Sequence, residues 1–316
     1  MPGRARWFDI VWIVCCGGFA SFLCLTSATR LGATFDEPFY VQEGLHRWRT
    51  GSTFGLMGAG TMPLPVDVQT FPLHVWKHWL HQRFDVDDFD SILSLARAGN
   101  LVFLWLLLVY GWRIARRIGG DWGGRLAVVV LACEPNILAH AGLATTDVAI
   151  TACLLVFCHH FRAGRDERWW RRVGVPAICY ALAILAKASG LVFAPLCAIC
   201  IEFHRLWSES GVALEFWPRL KQTLRAQFSR ANCQDMAAMG AIAMAIVFLY
   251  CGCDFQAKPK FVAWAQAQPA GPARPALVWF AEHFKIFNNA GVAILRQIQH
   301  NMRGHDGSYL LGEVAP

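Results

Sequence analysis

Four short stretches of this 316-residue chain hold ionisable side chains inside or beside apolar sequence. TFDEPFYVQEGLHRWRTG, residues 34–51, opens on the adjacent carboxylates Asp36 and Glu37. CEPNILAHAGLATTDVAI carries Glu134 beside Pro135, then His140 and Asp147. ILAKASGL holds Lys187, and NMRGHDGSYLLGE near the chain end holds Arg303 and His305. A charge at membrane depth costs about 2.5–3.5 kcal/mol on insertion scales, so retained charges mark function. Two acids with cations at a lipid–water boundary suit a reaction on a lipid phosphate. The cation holds the phosphate and a carboxylate takes the proton of an attacking hydroxyl. Each residue also has a plainer reading. Thr34-x-x-Glu37 fits a capping box, which leaves Asp36 free. Asp147 could cap a helix after Thr145 and Thr146, Lys187 could snorkel to the interface, and Glu134 could satisfy backbone groups freed by Pro135. Arg303 and His305 could be plain loop residues.

The elements that must position these groups are apolar helices. The chain is 55% hydrophobic and only 16% charged, against about 25% charged in soluble proteins. Seven runs approach the roughly 20 residues a spanning helix needs: about 8–28, 98–115, 126–143, 146–161, 173–186, 188–206 and 237–253. The fold class read from this is an all-α polytopic membrane protein. The first run has a basic start at Arg4 and Arg6 but an apolar core longer than a signal peptide's, and reads as an anchor. With the N-terminus in the cytoplasm, the tail and the short inner loops hold 16 of the 29 Lys and Arg residues. The long loops 29–97 and 254–316 then face outward. That sidedness and an anionic inner leaflet account for the net charge of +7. No basic patch interleaved with aromatics points to nucleic acid.

The first outer loop is patterned. Phe35, Phe39, Tyr40, Gly44, Leu45 and Trp48 fall on about one face of a helix stopped by Gly51. A second helix is expected over PLHVWKHWLHQRF, residues 72–84, with Leu73, Trp76, Trp79, Leu80 and Phe84 opposite His74, His78 and His81. The histidine spacing could bind metal, and it equally fits the wet face of an interfacial helix. Most of the 12 cysteines lie in apolar runs, where they act as small apolar residues. Cys197 and Cys200 match C-x-x-C without a second pair at zinc spacing. Cys251 and Cys253, at an outer edge, are the pair to test for oxidation.

FDEPFYVQEG, LARAGNLVFLWLLLVYGWRIARRIGG, EPNILAHAGLATTDVA, AILAKASGLVFAP and RGHDGSYLLGE, in that order, resemble the GT-C membrane glycosyltransferases. The nearest branch is glycosyltransferase family 39, related to protein O-mannosyltransferases and aminoarabinose transferases. The resemblance implies a GT-C-like transmembrane region over 1–253, followed by an outer-facing loop with an amphipathic helix over 254–316. It implies a multi-pass protein of the plasma (inner) membrane and an inverting transfer of sugar from a polyprenyl-phosphate donor to a protein, lipid or glycan hydroxyl. Asp36 becomes the general base with Glu37 beside it. Asp147, Lys187, His140, Arg303, His305 and Tyr309 become donor- or acceptor-binding residues. It names no cofactor, the lipid-linked sugar being a co-substrate, and a divalent cation between Asp36, Glu37 and a phosphate stays open. Relatives usually continue beyond LLGE with further spans, so the expectation here is a shortened chain. The rival readings are an inactive relative and a transporter. A transporter should show matched halves with broken helices, and none is visible.

Overall fold

A computed structural model of the chain describes residues 2–78, 89–210, 215–252, 257, 259–283, 285, 288–303, 308–310 and 313–315. Side chains are not described at 2–6, 90, 91, 260, 288, 301, 303, 308–310 and 313–315. The elements run in order α1 Pro2–Ala28, α2 Glu37–Thr50, α3 Phe54–Gly58, α4 Pro63–His78, α5 Phe89–Cys133, α6 Pro135–Ala141 and α7 Asp147–Gly164. After a π-helical turn, Trp170–Gly174, come α8 Val175–Ala186, α9 Gly190–Glu209, α10 Phe216–Gln227, α11 Arg230–Cys251, α12 Pro259–Gln266, α13 Ala273–His283 and α14 Asn288–Arg303. The all-helical expectation has one small exception, an antiparallel pair of strands, β1 Ser308–Leu310 with β2 Glu313–Ala315.

Among the described residues, four helices are long and apolar enough to cross a membrane: Trp7–Ala28, Ile92–Cys133, Gly190–Glu209 and Arg230–Cys251. They mark an integral membrane protein. The second is two limbs in one, because Gly119 and Gly120 leave helical geometry, Gly120 at φ 67°. That left-handed conformation is open to glycine at no steric cost. Helix α7 has 18 residues and α8 has 12, which at about 1.5 Å per residue fall short of a hydrocarbon core of about 30 Å. The π-helical turn runs directly into α8 and lengthens it.

The core sits where these helices meet. One cluster joins Phe157 and Phe161 of α7, Tyr180 and Ile184 of α8, and Met239 and Val247 of α11. Another joins Ala20 and Cys24 of α1 to Leu104, Leu107 and Leu108 of α5 and Ala149 of α7. Small residues set the closest approaches. A Cβ at Gly99 of α5 would meet the Gln69 backbone at 2.8 Å, and one at Gly44 of α2 would meet Thr70 at 2.6 Å.

Charged side chains collect at the two ends of the bundle. At one end Arg125 Nε donates to Asp9 at 2.8 Å, and Arg165 Nε donates to Glu202 at 2.9 Å. Arg165 also reaches Asn232 Oδ1 at 2.6 Å, which ties α7, α9 and α11 together. The helices that leave this end arrive at the other one at Ala28, Asp147, Lys187 and Tyr250. The eleven described cysteines are all free thiols, with Cys251 buried. Cys253 lies outside the described residues.

Candidate active site

The loop after α1 is fixed by a buried ion pair. Glu37 and Arg97 are both fully inaccessible, their closest atoms 2.7 Å apart. Arg97 Nε donates to Glu37 Oε1 at 2.8 Å, and its Nη2 donates to Oε2 at 2.7 Å. The remaining guanidinium hydrogens go to the carbonyls of Ala28, Leu31 and Gly32, each within 2.9 Å. Glu37 also accepts from the backbone N–H groups of Thr34 and Ala144, both at 2.8 Å. Burial alone would raise the Glu37 carboxyl. Hydrogen bonds from Arg97, Thr34 and Ala144, with the Arg97 charge, outweigh it and hold the group below its ordinary value. Both partners of a buried pair must be hydrogen-bonded to offset desolvation, and here they are.

The resemblance set Glu37 beside the general base. Here its carboxylate is held in the buried pair and has no accessible face. The capping-box reading is half right. Glu37 does reach back to Thr34 N–H, but Asp36, with no side-chain cap bond, occupies the cap position, and the Thr34 hydroxyl donates to Glu37 as well.

A neighbouring network holds the second half of the site. Asn100 Nδ2 donates to the carbonyls of His140, Ala141 and Leu143, the last at 2.8 Å. Gln69 Nε2 donates to Asn100 Oδ1 at 3.0 Å and to the Thr145 carbonyl at 2.6 Å. These buried amides pin the turn that leads into α7. Arg97, Asn100 and Gln69 were missed from the sequence. Arg97 and Asn100 stand one helical turn apart at the start of an apolar run, and that was the available signal.

Around this frame opens a cavity of about 1480 Å³, whose walls include Asp36, Tyr40, Thr61, Asp147, Lys187 and Arg296. It brings three of the expected site residues together. Asp36 is exposed, and its carboxylate has no hydrogen bond or ion pair among the described residues. Phe35 beside it is 99% exposed. Asp147 heads α7, where the helix dipole favours a carboxylate. Lys187 Nζ donates to Asp147 Oδ1 at 2.7 Å. Lys187 sits in extended conformation at the break between α8 and α9. His140, in the last turn of α6, has Nδ1 3.7 Å from Asp147 Oδ2. Burial raises the Tyr40 hydroxyl above its ordinary value, and the charges of Asp36 and Asp147 push the same way. A hydrogen bond from Thr61 opposes them, and Tyr40 stands near both acids. Glu134 is placed elsewhere. It caps α6 by accepting from Asn136 N–H, as the proline reading anticipated.

The expected residues near the chain end divide differently. Arg303 ends α14 and Tyr309 lies in β1, but neither side chain is described, and His305 lies outside the described residues. What α14 does contribute is a face that sequence reasoning passed over. Ala293 and Ile294 pack on the core while Arg296, Gln299 and His300 line the cavity. Gly60 lets this helix close on α3. It holds φ +96°, and a Cβ there would lie 3.1 Å from Arg296 Cβ. Gly60→Ala is expected to cost about 1–2 kcal/mol through the left-handed backbone. Thermal unfolding in detergent checks this, with an unchanged midpoint as the contrary outcome.

The outer-loop helices also depart from expectation. Helix α4 begins nine residues before the predicted start and carries Pro72 within it. Residues 79–84 of the predicted helix, with His81, lie outside the described residues. Helix α2 does not present one apolar face. Val41, Leu45 and Trp48 line a smaller cavity of about 330 Å³, while Asp36 and Tyr40 face the large one. Arg47 and Tyr250 both bond Asp67, the tyrosine hydroxyl at 2.7 Å, which locks α2 and α4 to α11. Among the described residues, no group of three or more His, Cys, Asp or Glu is placed to hold a metal. The His74 and His78 rings lie 4.7 Å apart between centres and tilted at 47°, and His74 stacks on Trp48.

Residues 72–216 match the family model for dolichyl-phosphate-mannose-protein mannosyltransferases, a little under half of the chain. No curated protein and no solved structure matches the chain.

Proposed function

We propose that this chain is a GT-C-type membrane glycosyltransferase that moves a sugar from a polyprenyl-phosphate donor to an acceptor hydroxyl, with inversion. The observation that carries this reading is the cavity at one end of the bundle, where a free carboxylate, Asp36, shares walls with Asp147, Lys187 and Arg296. The family match over residues 72–216 supports it.

In the proposed step, Asp36 takes the proton of the acceptor hydroxyl as its oxygen attacks the anomeric carbon. The bond from that carbon to the phosphate oxygen breaks, and the lipid phosphate leaves with the electron pair. Lys187 and Arg296 neutralise the charge that develops on it. In the resting cavity Lys187 is held by Asp147, and His140 approaches the same carboxylate. Asp147 is then free to bind sugar hydroxyls once Lys187 turns to the phosphate. Arg303, His305 and Tyr309 belong to the same proposal on the strength of the sequence alone. Glu37 enters it as a positioning residue. Seven spans, an N-terminus in the cytoplasm and an outward-facing cavity in the inner membrane complete the reading. The arginine-rich end of the bundle opposite the cavity supports that orientation.

The test is transfer of label from a polyprenyl-phosphate-sugar pool in membranes carrying the chain. Consumption of donor with formation of glycosylated acceptor is the expected result. Movement of a solute across the membrane without donor consumption would instead favour a transporter. Lys187→Gln should lower kcat/KM about 10–100-fold, the value of one charge-assisted hydrogen bond. An unchanged kcat/KM in that variant would remove Lys187 from phosphate binding.

A further inference from the structure

The end of the bundle opposite the cavity holds basic side chains that its own carboxylates leave unmatched. The first limb of α5 carries Tyr110, Arg113 and Arg117 at i, i+3 and i+7, on one face. Helix α7 sets His159 and His160 against that face. The Tyr110 hydroxyl and His160 Nε2 are 2.9 Å apart, and the tyrosine ring lies 5.4 Å from the His159 ring. The Arg113 guanidinium lies over the Tyr110 ring at 5.2 Å.

Several neighbouring cations at this end are paired. Arg116 meets Asp9 and Asp121, Arg125 meets Asp9, and Arg165 and Arg205 meet Glu202. Arg113 and Arg117 are exposed, and neither meets a carboxylate among the described residues. His159 adds a buried Nδ1 with no hydrogen-bond partner. A buried polar atom of this kind calls for a ligand or water.

Depth identifies the ligand. The apolar run of this limb covers about 98–115. Arg113 and Arg117 lie at its end, where long basic side chains extend to the interface. Arg113 and Arg117 therefore emerge in the headgroup layer. Ile118, 85% exposed, continues the apolar rim beside them. A free anion would find the charge but would have no use for that rim.

We propose that Arg113, Arg117, His159 and His160 form a seat for the phosphate of an anionic phospholipid, in the leaflet opposite the catalytic cavity. The seat binds the lipid as a structural ligand and takes no part in sugar transfer. It does not rest on the proposed reaction.

The test uses the full chain in nanodiscs of phosphatidylcholine with increasing phosphatidylglycerol. Retained lipid is counted by native mass spectrometry, and the thermal midpoint is followed in parallel. Wild type should retain phosphatidylglycerol preferentially and gain stability from it. Arg113→Gln/Arg117→Gln should weaken retention about 30-fold, since each basic residue near an anionic surface contributes about a factor of five. Arg113→Lys/Arg117→Lys keeps the charge and should keep binding. Lys221→Gln/Arg225→Gln, which removes two basic residues of α10, should leave retention near wild type. The proposal is overturned if this last pair loses lipid equally, or if phosphatidylcholine is retained as well. It also fails if inorganic phosphate alone reproduces the stabilisation.

Discussion

Asp36→Asn is expected to abolish measurable sugar transfer while leaving the fold untouched. Loss of a positioned general base costs about 10²–10⁴-fold in rate. The Asp36 carboxylate is exposed and makes no side-chain cap bond. Its replacement by an amide of the same shape should therefore change stability by no more than about 0.5 kcal/mol. The two readouts must be taken on the same preparation: label transferred from the lipid-linked donor, and the thermal midpoint in detergent. Full activity in the variant would remove Asp36 from the mechanism. Lost activity with an equally lowered midpoint would recast it as a structural residue.

The opposite pattern is expected one residue later. Arg97→Met leaves Glu37 as a buried carboxylate without its cation, a change that typically costs about 3–5 kcal/mol. The double variant Glu37→Gln/Arg97→Met removes both charges and should recover part of that loss. Chemical or thermal unfolding of the three proteins measures it, and additive losses in the double variant would argue against a coupled pair. The pH dependence has a definite sign. The folded Glu37 carboxyl is held below its ordinary value of 4.5. Its contribution to stability is complete above that pH and is lost as pH falls through the lowered folded value. Wild type should therefore lose stability in acid more steeply than Glu37→Gln. Activity in the Arg97 variant should fall too, because the same pair fixes the loop that carries Asp36.

Much of the helical layout was legible because apolar runs and their stops are local signals. The stop at Gly51 is one example. It is in the left-handed conformation and closes α2 through its N–H to the Arg47 carbonyl. The break at Lys187 is another, since the apolar pattern pauses there on both sides. The start of α4 was not legible. Three prolines within ten residues argue against a helix locally, yet the segment is held by packing of Val66, Thr70 and Leu73 in the interior. Tertiary burial overrides propensity in such cases.

The candidate site divides along the same line. Sequence by itself determined that Asp36, Asp147 and Lys187 are charges stationed at the ends of apolar runs, because a run's length and ends are written in consecutive residues. The capping-box spacing already set Glu37 apart from Asp36, but it offered only a partner three residues away. Only the tertiary structure supplied the distant one. Arg97, sixty residues away, closes on Glu37 from α5 and leaves Asp36 to the cavity. The contribution of α14 was decided in the same way. Its amphipathic pattern was local, but the surface its polar face would meet depended on Gly60 and the core at Ala293. Pairings over such separations depend on how helices pack, and no short stretch of sequence encodes them.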